Sequence, residues 1–308
     1  MASVQARILN LILRSAFKPR MQRVFQGNPP ITKELREQLD GMMSWQPKLS
    51  SHVVIKPWIA KRLRGEWVNF LDSRPNRVIL FLHGGGYVMG SPEKHRDFAW
   101  RLSEASGAKV LVVDYRLAPE HRFPAALEDA LAAWRWLLAQ GFRPEDMIIS
   151  GDSAGGGLAL ATLLSLRDSD EPLPAAAILL SPWTDLTLSG ESITFNAQAD
   201  PFLVSGILPF IAENYVDENT DRRHPLVSPL FADLTGLPPF CLHVGGTEIL
   251  LSDSTRLAEK AEAAGVPVSF KVWRNMPHVF HLCGCCLPEG RGVIEECGAF
   301  ARSYLGKG

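Results

Sequence analysis

This chain predicts an α/β fold with a mostly parallel central sheet, on three observations. Short apolar, β-branched runs recur from about residue 78 onward, and helical patterns stand between them. The composition, 46% hydrophobic and 21% charged over 308 residues, is that of an ordinary globular protein. Unbroken apolar runs suit strands buried on both faces, and strand–helix alternation calls for right-handed crossovers. A core of this size closes without disulfides or a structural metal.

In chain order, strands are predicted at 78–82, 110–113, 147–149, 177–180, 240–244 and 268–273. Leu127, Leu131, Trp134 and Leu138 recur at helical spacing ahead of a Gly141 stop. Residues 155–166 and 255–264 are further helix candidates. Two stretches break the alternation. Residues 1–45 look helical with no strand partner, and residues 186–235 combine Pro201, Pro209, Pro225 and Pro229 with helix-like pieces such as 207–215. The expected organisation is one main domain, residues 46–185 and 236–308, flanked by helices. Residues 1–45 and 186–235 would form a two-part helical cap above the strand ends.

Charge and cysteine usage exclude several classes. Lys and Arg total 32 against 33 Asp and Glu, a net charge of −1, so no nucleic-acid footprint is expected. Five cysteines, three of them crowded at Cys283, Cys285 and Cys286, do not make a disulfide framework and read as reduced and cytoplasmic. Cys241 and Cys297 supply no recognisable ligand pair, so no metal is expected. Residues 1–33 hold six cations and no acid before Glu34. Their apolar stretch, 8–13, is interrupted by Asn10 and falls far short of the ~20 residues of a membrane span. No stable membrane insertion is expected. A transit peptide or a membrane-surface helix stays open beside the preferred reading, an amphipathic helix lying on the protein's own apolar entrance.

The chemistry-bearing motifs stand at strand ends. Gly151-Asp152-Ser153-Ala154-Gly155 fits Gly-x-Ser-x-Gly between a strand and a helix, where a tight turn exposes a nucleophilic hydroxyl. No Gly-Lys-Ser/Thr follows, which excludes a phosphate loop. His83-Gly84-Gly85-Gly86 follows the strand ending at Leu82, about seventy residues ahead of that serine. Successive glycines let backbone amides approach a developing oxyanion, and Gly85, Gly86 and Ala154 are the expected donors.

These two motifs, with Asp114-Tyr115-Arg116-Leu117-Ala118-Pro119-Glu120 and the block beginning Phe123-Pro124, resemble the hormone-sensitive lipase-like carboxylesterases over roughly residues 78–300. The resemblance implies an α/β-hydrolase fold and a triad in the order Ser, acid, His. The family's histidine matches His278, at the head of His278-Val279-Phe280-His281; His281 reads as structural. The family's acid position, usually Asp, matches Glu248, with Asp253 as the competitor. Asp253 stands at the start of a helix, where the dipole favours an acid in any case. Phe202, Leu203 and Ile207 are candidate pocket residues, and Tyr87 and Asp152 are candidates for the pocket or its support. His83, His121, His243 and the charges Asp114, Arg116, Glu120 and Asp129 read as structural.

The resemblance further implies hydrolysis of short- to medium-chain acyl esters through an acyl-enzyme, with no cofactor. It also implies a homodimer joined through the edge strand Val268–Trp273. A deacetylase or amidase acting on a small metabolite stays open with the same triad. So does a non-catalytic small-molecule receptor.

Overall fold

A computed structural model describes residues 2–42 and 47–306. Eight strands form one sheet in the order β1-β2-β4-β3-β5-β6-β7-β8. They are β1 (Val53–Ala60), β2 (Leu63–Phe70), β3 (Arg74–Leu82), β4 (Ala108–Asp114), β5 (Met147–Asp152), β6 (Ala176–Leu180), β7 (Phe240–Gly245) and β8 (Val268–Trp273). From β4 to β8 every pairing is parallel, while β1–β2 and β2–β4 are antiparallel.

The helices are α1 (Val4–Ile12), α2 (Lys18–Val24), α3 (Lys33–Met42), α4 (Pro92–Ser106), α5 (Ala125–Ala139), α6 (Ala154–Asp168), α7 (Ser192–Phe195), α8 (Leu208–Tyr215), α9 (Leu251–Ala263) and α10 (Pro288–Tyr304). Two apolar layers cover the sheet. Leu131, Leu158 and Leu257 of α5, α6 and α9 belong to one core. Phe98 and Leu102 of α4 join Val293 and Ile294 of α10 in the other. This two-faced burial is why β3, β5, β6 and β7 carry unbroken apolar runs.

Three outcomes differ from expectation. The hairpin β1–β2 precedes the first predicted strand. Its strands are only partly buried and alternate irregularly, and its two-residue turn begins at Lys61 with φ 56°. Helices α4 and α10 also lie outside the predicted set. The third concerns the N-terminus. Only Ala6 of α1 is fully buried, whereas Val4, Ile8, Leu11 and Ile12 face outward at 61%, 53%, 66% and 54% exposure. The apolar stripe of α1 therefore does not lie on the protein's own entrance. A π-helical turn, Leu13–Phe17, carries the chain on into α2, and it is Phe17 that reaches inward.

Polar ties hold these N-terminal helices. The Ser3 amide and hydroxyl donate to Glu289 of α10 at 2.7 and 2.8 Å. Lys18 donates to the carbonyls of Ala197 and Asp200, and Arg36 of α3 to Val88, Ala118 and Glu120. Arg116 pairs with Glu128 and Asp129, and Arg36 with Glu120, so these charges serve the scaffold.

Candidate active site

The carboxyl ends of β3, β5, β7 and β8 all point to one end of the sheet, where open α/β sheets carry their ligand sites. The loop after β5 is a single residue, Ser153, before α6 begins. Its backbone sits at φ 52°, ψ −123°, a strained conformation for a residue with a Cβ. Two backbone bonds hold it there, Ser153 N–H to Leu180 O and Trp183 N–H to Ser153 O, each 2.9 Å. Close packing behind it requires glycine, because a Cβ on Gly155 would run into the Leu82 and His83 carbonyl oxygens.

The hydroxyl projects to His278, whose Nε2 lies 2.9 Å from Ser153 Oγ. His278 Nδ1 lies 2.7 Å from Glu248 Oε2. A carboxylate only accepts, so Nδ1 carries the proton and Nε2 is left to accept from the hydroxyl. Both loops are built for this. Gly246 N–H donates to Trp273 O, and Thr247 donates to Met276 O from its hydroxyl, which ties the Glu248 loop to the His278 loop. Val279 then turns the chain away at φ 51°.

Glu248 is completely buried. Its Oε1 accepts from Ser181 Oγ at 2.6 Å and from the Gly245 amide. Burial raises its pKa, an effect the neighbouring His278 opposes. His278 is buried too. Burial alone would lower its pKa, but the facing Glu248 carboxylate carries it above the ordinary histidine value. Asp253, the competing acid, is engaged elsewhere: one of its oxygens accepts the amides of Thr184 and Asp185 at 2.7 and 2.8 Å. Burial pushes its pKa up to about 7.

Beside the serine, Gly85 and Gly86 take φ 118° and 64°, and the Ile211 side chain lies over Gly86. Among the described residues, the amides of Gly85, Gly86 and Ala154 donate to no acceptor. The Gly84 amide is anchored to Asp152 Oδ1 at 2.8 Å. The same oxygen lies 3.2 Å from His95 Nε2. Burial would raise the Asp152 pKa, but His95 brings it down to about 2. His95 is raised by the same pairing, against its own burial. Burial holds His83 down at about 4 and His281 at about 3, so both rings stay neutral in this network.

Asp152 and Tyr87, the two residues expected in the pocket or its support, are both buried. Asp152 is buried in that hydrogen-bonded network. Tyr87 is buried with its ring stacked 3.7 Å from Tyr215. Asp152 anchors the glycine loop through the Gly84 amide. Phe202 and Leu203 are half-buried, and Ile207 is buried. Phe202 stacks on Phe17 at 4.7 Å and lies 6.0 Å from the His278 ring.

Several site residues carry no motif. Asp200 Oδ1 accepts the Phe202 and Leu203 amides, and its Oδ2 accepts the Ile249 amide next to Glu248. Asn196 donates to the Glu248 carbonyl at 2.8 Å. The structure also assembles Cys241, His243 and Cys297, with ligand atoms within 4.8 Å of one another, a grouping the sequence spacing conceals. It does not fit a metal. Trp273 Nε1–H donates to His243 Nδ1, so that nitrogen is an acceptor and Nε2 carries the ring hydrogen, facing the Cys241 sulfur rather than offering a lone pair.

Residues 79–282 match a family model described as the alpha/beta hydrolase fold. An acetyl-hydrolase of Streptomyces hygroscopicus is 48% identical over 243 residues, which span 79% of this chain and 81% of that protein. An esterase of Acinetobacter venetianus is 39% identical over 269 residues, 87% of this chain and 88% of that one. An esterase from the bacterial hormone-sensitive lipase family, solved by crystallography, superposes with a TM-score of 0.91 at 40% identity. That superposition covers 99% of this chain and 100% of the other. A crystal structure of EstE5 soaked with p-nitrophenyl butyrate gives a TM-score of 0.88 at 43% identity, covering 99% of both chains.

Proposed function

The chain belongs to the α/β-hydrolase-fold family, in its hormone-sensitive lipase-like branch of serine esterases, and from that premise we propose that Ser153, His278 and Glu248 hydrolyse short- to medium-chain carboxylic esters. The observation that carries this reading is the line Ser153 Oγ–His278–Glu248, half-buried at the serine and buried at the acid, with bonds of 2.9 and 2.7 Å.

In the proposed reaction Ser153 Oγ attacks the ester carbonyl carbon while His278 Nε2 takes its proton. Glu248 steadies the imidazolium through Nδ1. The Gly85, Gly86 and Ala154 amides receive the oxyanion, and they need no reorganisation because nothing else occupies them. The tetrahedral adduct collapses, the alkoxide leaves as alcohol with the proton from Nε2, and Ser153 keeps the acyl group. Water then attacks that acyl carbon, giving a proton to His278; the bond from the acyl carbon to Ser153 Oγ breaks as His278 Nε2 returns that proton to Oγ, and the carboxylic acid leaves.

Residues 1–45 and 186–235 serve as a cap in this reading. Its support is the Phe17–Phe202 stack, which joins both segments beside His278. Such a wall suits modest acyl chains. The relationship to an acetyl-hydrolase favours one second reading, removal of acetyl groups from a small metabolite. Five free cysteines are consistent with a reducing cytoplasm, and β8, at the sheet edge, with a homodimer formed there. Among the described residues no helix is long and apolar enough to cross a membrane.

The deciding experiment is single-turnover acylation by p-nitrophenyl butyrate. A burst in the unaltered enzyme that vanishes in Ser153→Ala supports the reading, and undiminished turnover by that variant would falsify it. Comparing acetyl with butyryl and hexanoyl esters separates the two substrate classes.

A further inference from the structure

Helix α1 presents its faces the wrong way round for a helix serving only its own protein. At 100° per residue, Val4, Ile8, Leu11 and Ile12 fall on one face, and all four are more than half exposed. The opposite side carries Ala6, completely buried. Polar ties hold that side down, Ser3 to Glu289 and Asn10 Nδ2 to Asn275 O at 2.9 Å, while Arg14, on the flank between the two faces, donates to Ala199 O at 2.6 Å. The apolar stripe is therefore held outward by the fold.

Charge defines what covers it. Arg7 and Arg14 stand seven residues apart, along one edge of the stripe. With Asn10 and Leu11 they line a groove of about 540 Å³, closed on its far side by Arg274 and Asn275. None of its lining residues is acidic. The first 33 residues hold six cations and no acid, in a chain whose net charge is −1. An apolar stripe edged by arginines matches the boundary between acyl chains and anionic headgroups. A second copy of the chain fits less well, because an antiparallel two-fold pairing of α1 sets the two arginine edges side by side.

We infer that α1 docks the enzyme on an anionic lipid surface, with the stripe among the acyl chains and headgroup phosphates in the Arg7–Arg14–Arg274 groove. Phe17, on the turn that follows α1, stacks on Phe202 beside His278. The docking helix is thus joined in chain to the wall of the proposed ester site. The attachment is peripheral and needs no spanning helix.

The test is co-sedimentation of the full chain with vesicles of phosphatidylcholine alone and of phosphatidylcholine mixed with phosphatidylglycerol. Binding to the anionic vesicles only, released by high salt, is expected. Leu11→Glu and the double change Arg7→Glu, Arg14→Glu should each cut the bound fraction roughly tenfold or more. Turnover of soluble p-nitrophenyl butyrate should persist in both variants, showing that they fold. No binding to anionic vesicles overturns the inference, as does equal binding to both vesicle types. A concentration-dependent dimer abolished by Leu11→Glu, without vesicle binding, assigns the face to a second copy and equally overturns it.

Discussion

Asp152 Oδ1 accepts the Gly84 amide at 2.8 Å, so the residue before Ser153 also holds the loop that carries Gly85 and Gly86. Serine and glycine loop are thereby set against each other by one carboxylate, itself paired with His95. Asp152→Ala strands both the Gly84 amide and the His95 ring in a buried place. A loss of about 3–5 kcal/mol of stability is expected, measured by denaturant unfolding.

Asp152→Asn separates charge from geometry, since an amide oxygen can still accept from Gly84. The Asp152 pKa is depressed on folding to about 2, against about 3.9 in the unfolded chain. Its contribution to stability is full above pH ~4 and is lost as pH falls towards 2. In Asp152→Asn that part of the acid slope should disappear. Unfolding free energies across this range check it, and an unchanged slope rules the pairing out as its source.

The pH–rate profile reports on His278. As a base it must be neutral, and Glu248 raises its pKa above the ordinary value. The acid limb of kcat/KM should therefore lie above pH ~6.5. Glu248→Gln removes the charge that raises it and leaves burial, so the limb should move to lower pH. The rate at the plateau should fall by on the order of 10³-fold or more. A limb that does not move argues that another group titrates there.

Acyl preference should answer to the Phe17–Phe202 stack. Phe202→Ala opens the wall beside His278, and the ratio of kcat/KM for octanoyl over butyryl nitrophenyl esters should rise roughly tenfold. Phe17→Ala should act in the same direction. If the ratio holds constant in both, the acyl chain runs elsewhere.

The elbow tests packing alone. A methyl on Gly155 would meet the Leu82 and His83 carbonyls, which are backbone and cannot swing aside. Gly155→Ala should lower stability by about 3 kcal/mol or more, read as a fall in Tm together with lost activity.

Legibility in the sequence followed burial. Strands β3 to β7 are covered on both faces, so their apolar runs were readable. The half-covered hairpin β1–β2 mixes Trp58 and Val68 with Lys56 and Glu66, and no clean period survives. Helix α4 hides its core face among Glu93, Lys94, His95 and Arg96. At the site, Ser153 and the glycine loop announce themselves because backbone geometry restricts which residues fit there. Asp200, Asn196, Ser181 and His95 work through hydrogen bonds to residues distant in the chain, which leave no local pattern. Amphipathy likewise revealed that α1 has an apolar face without revealing which way it points.

The Phe17–Phe202 wall and the Ser153–His278–Glu248 line share no residue, and they come from separate stretches of the polypeptide. Changes in either flank of the wall can retune which molecules are admitted while bond cleavage stays as it was. A fusion partner or affinity tag ahead of Ser3 should accordingly alter substrate choice before it alters chemistry.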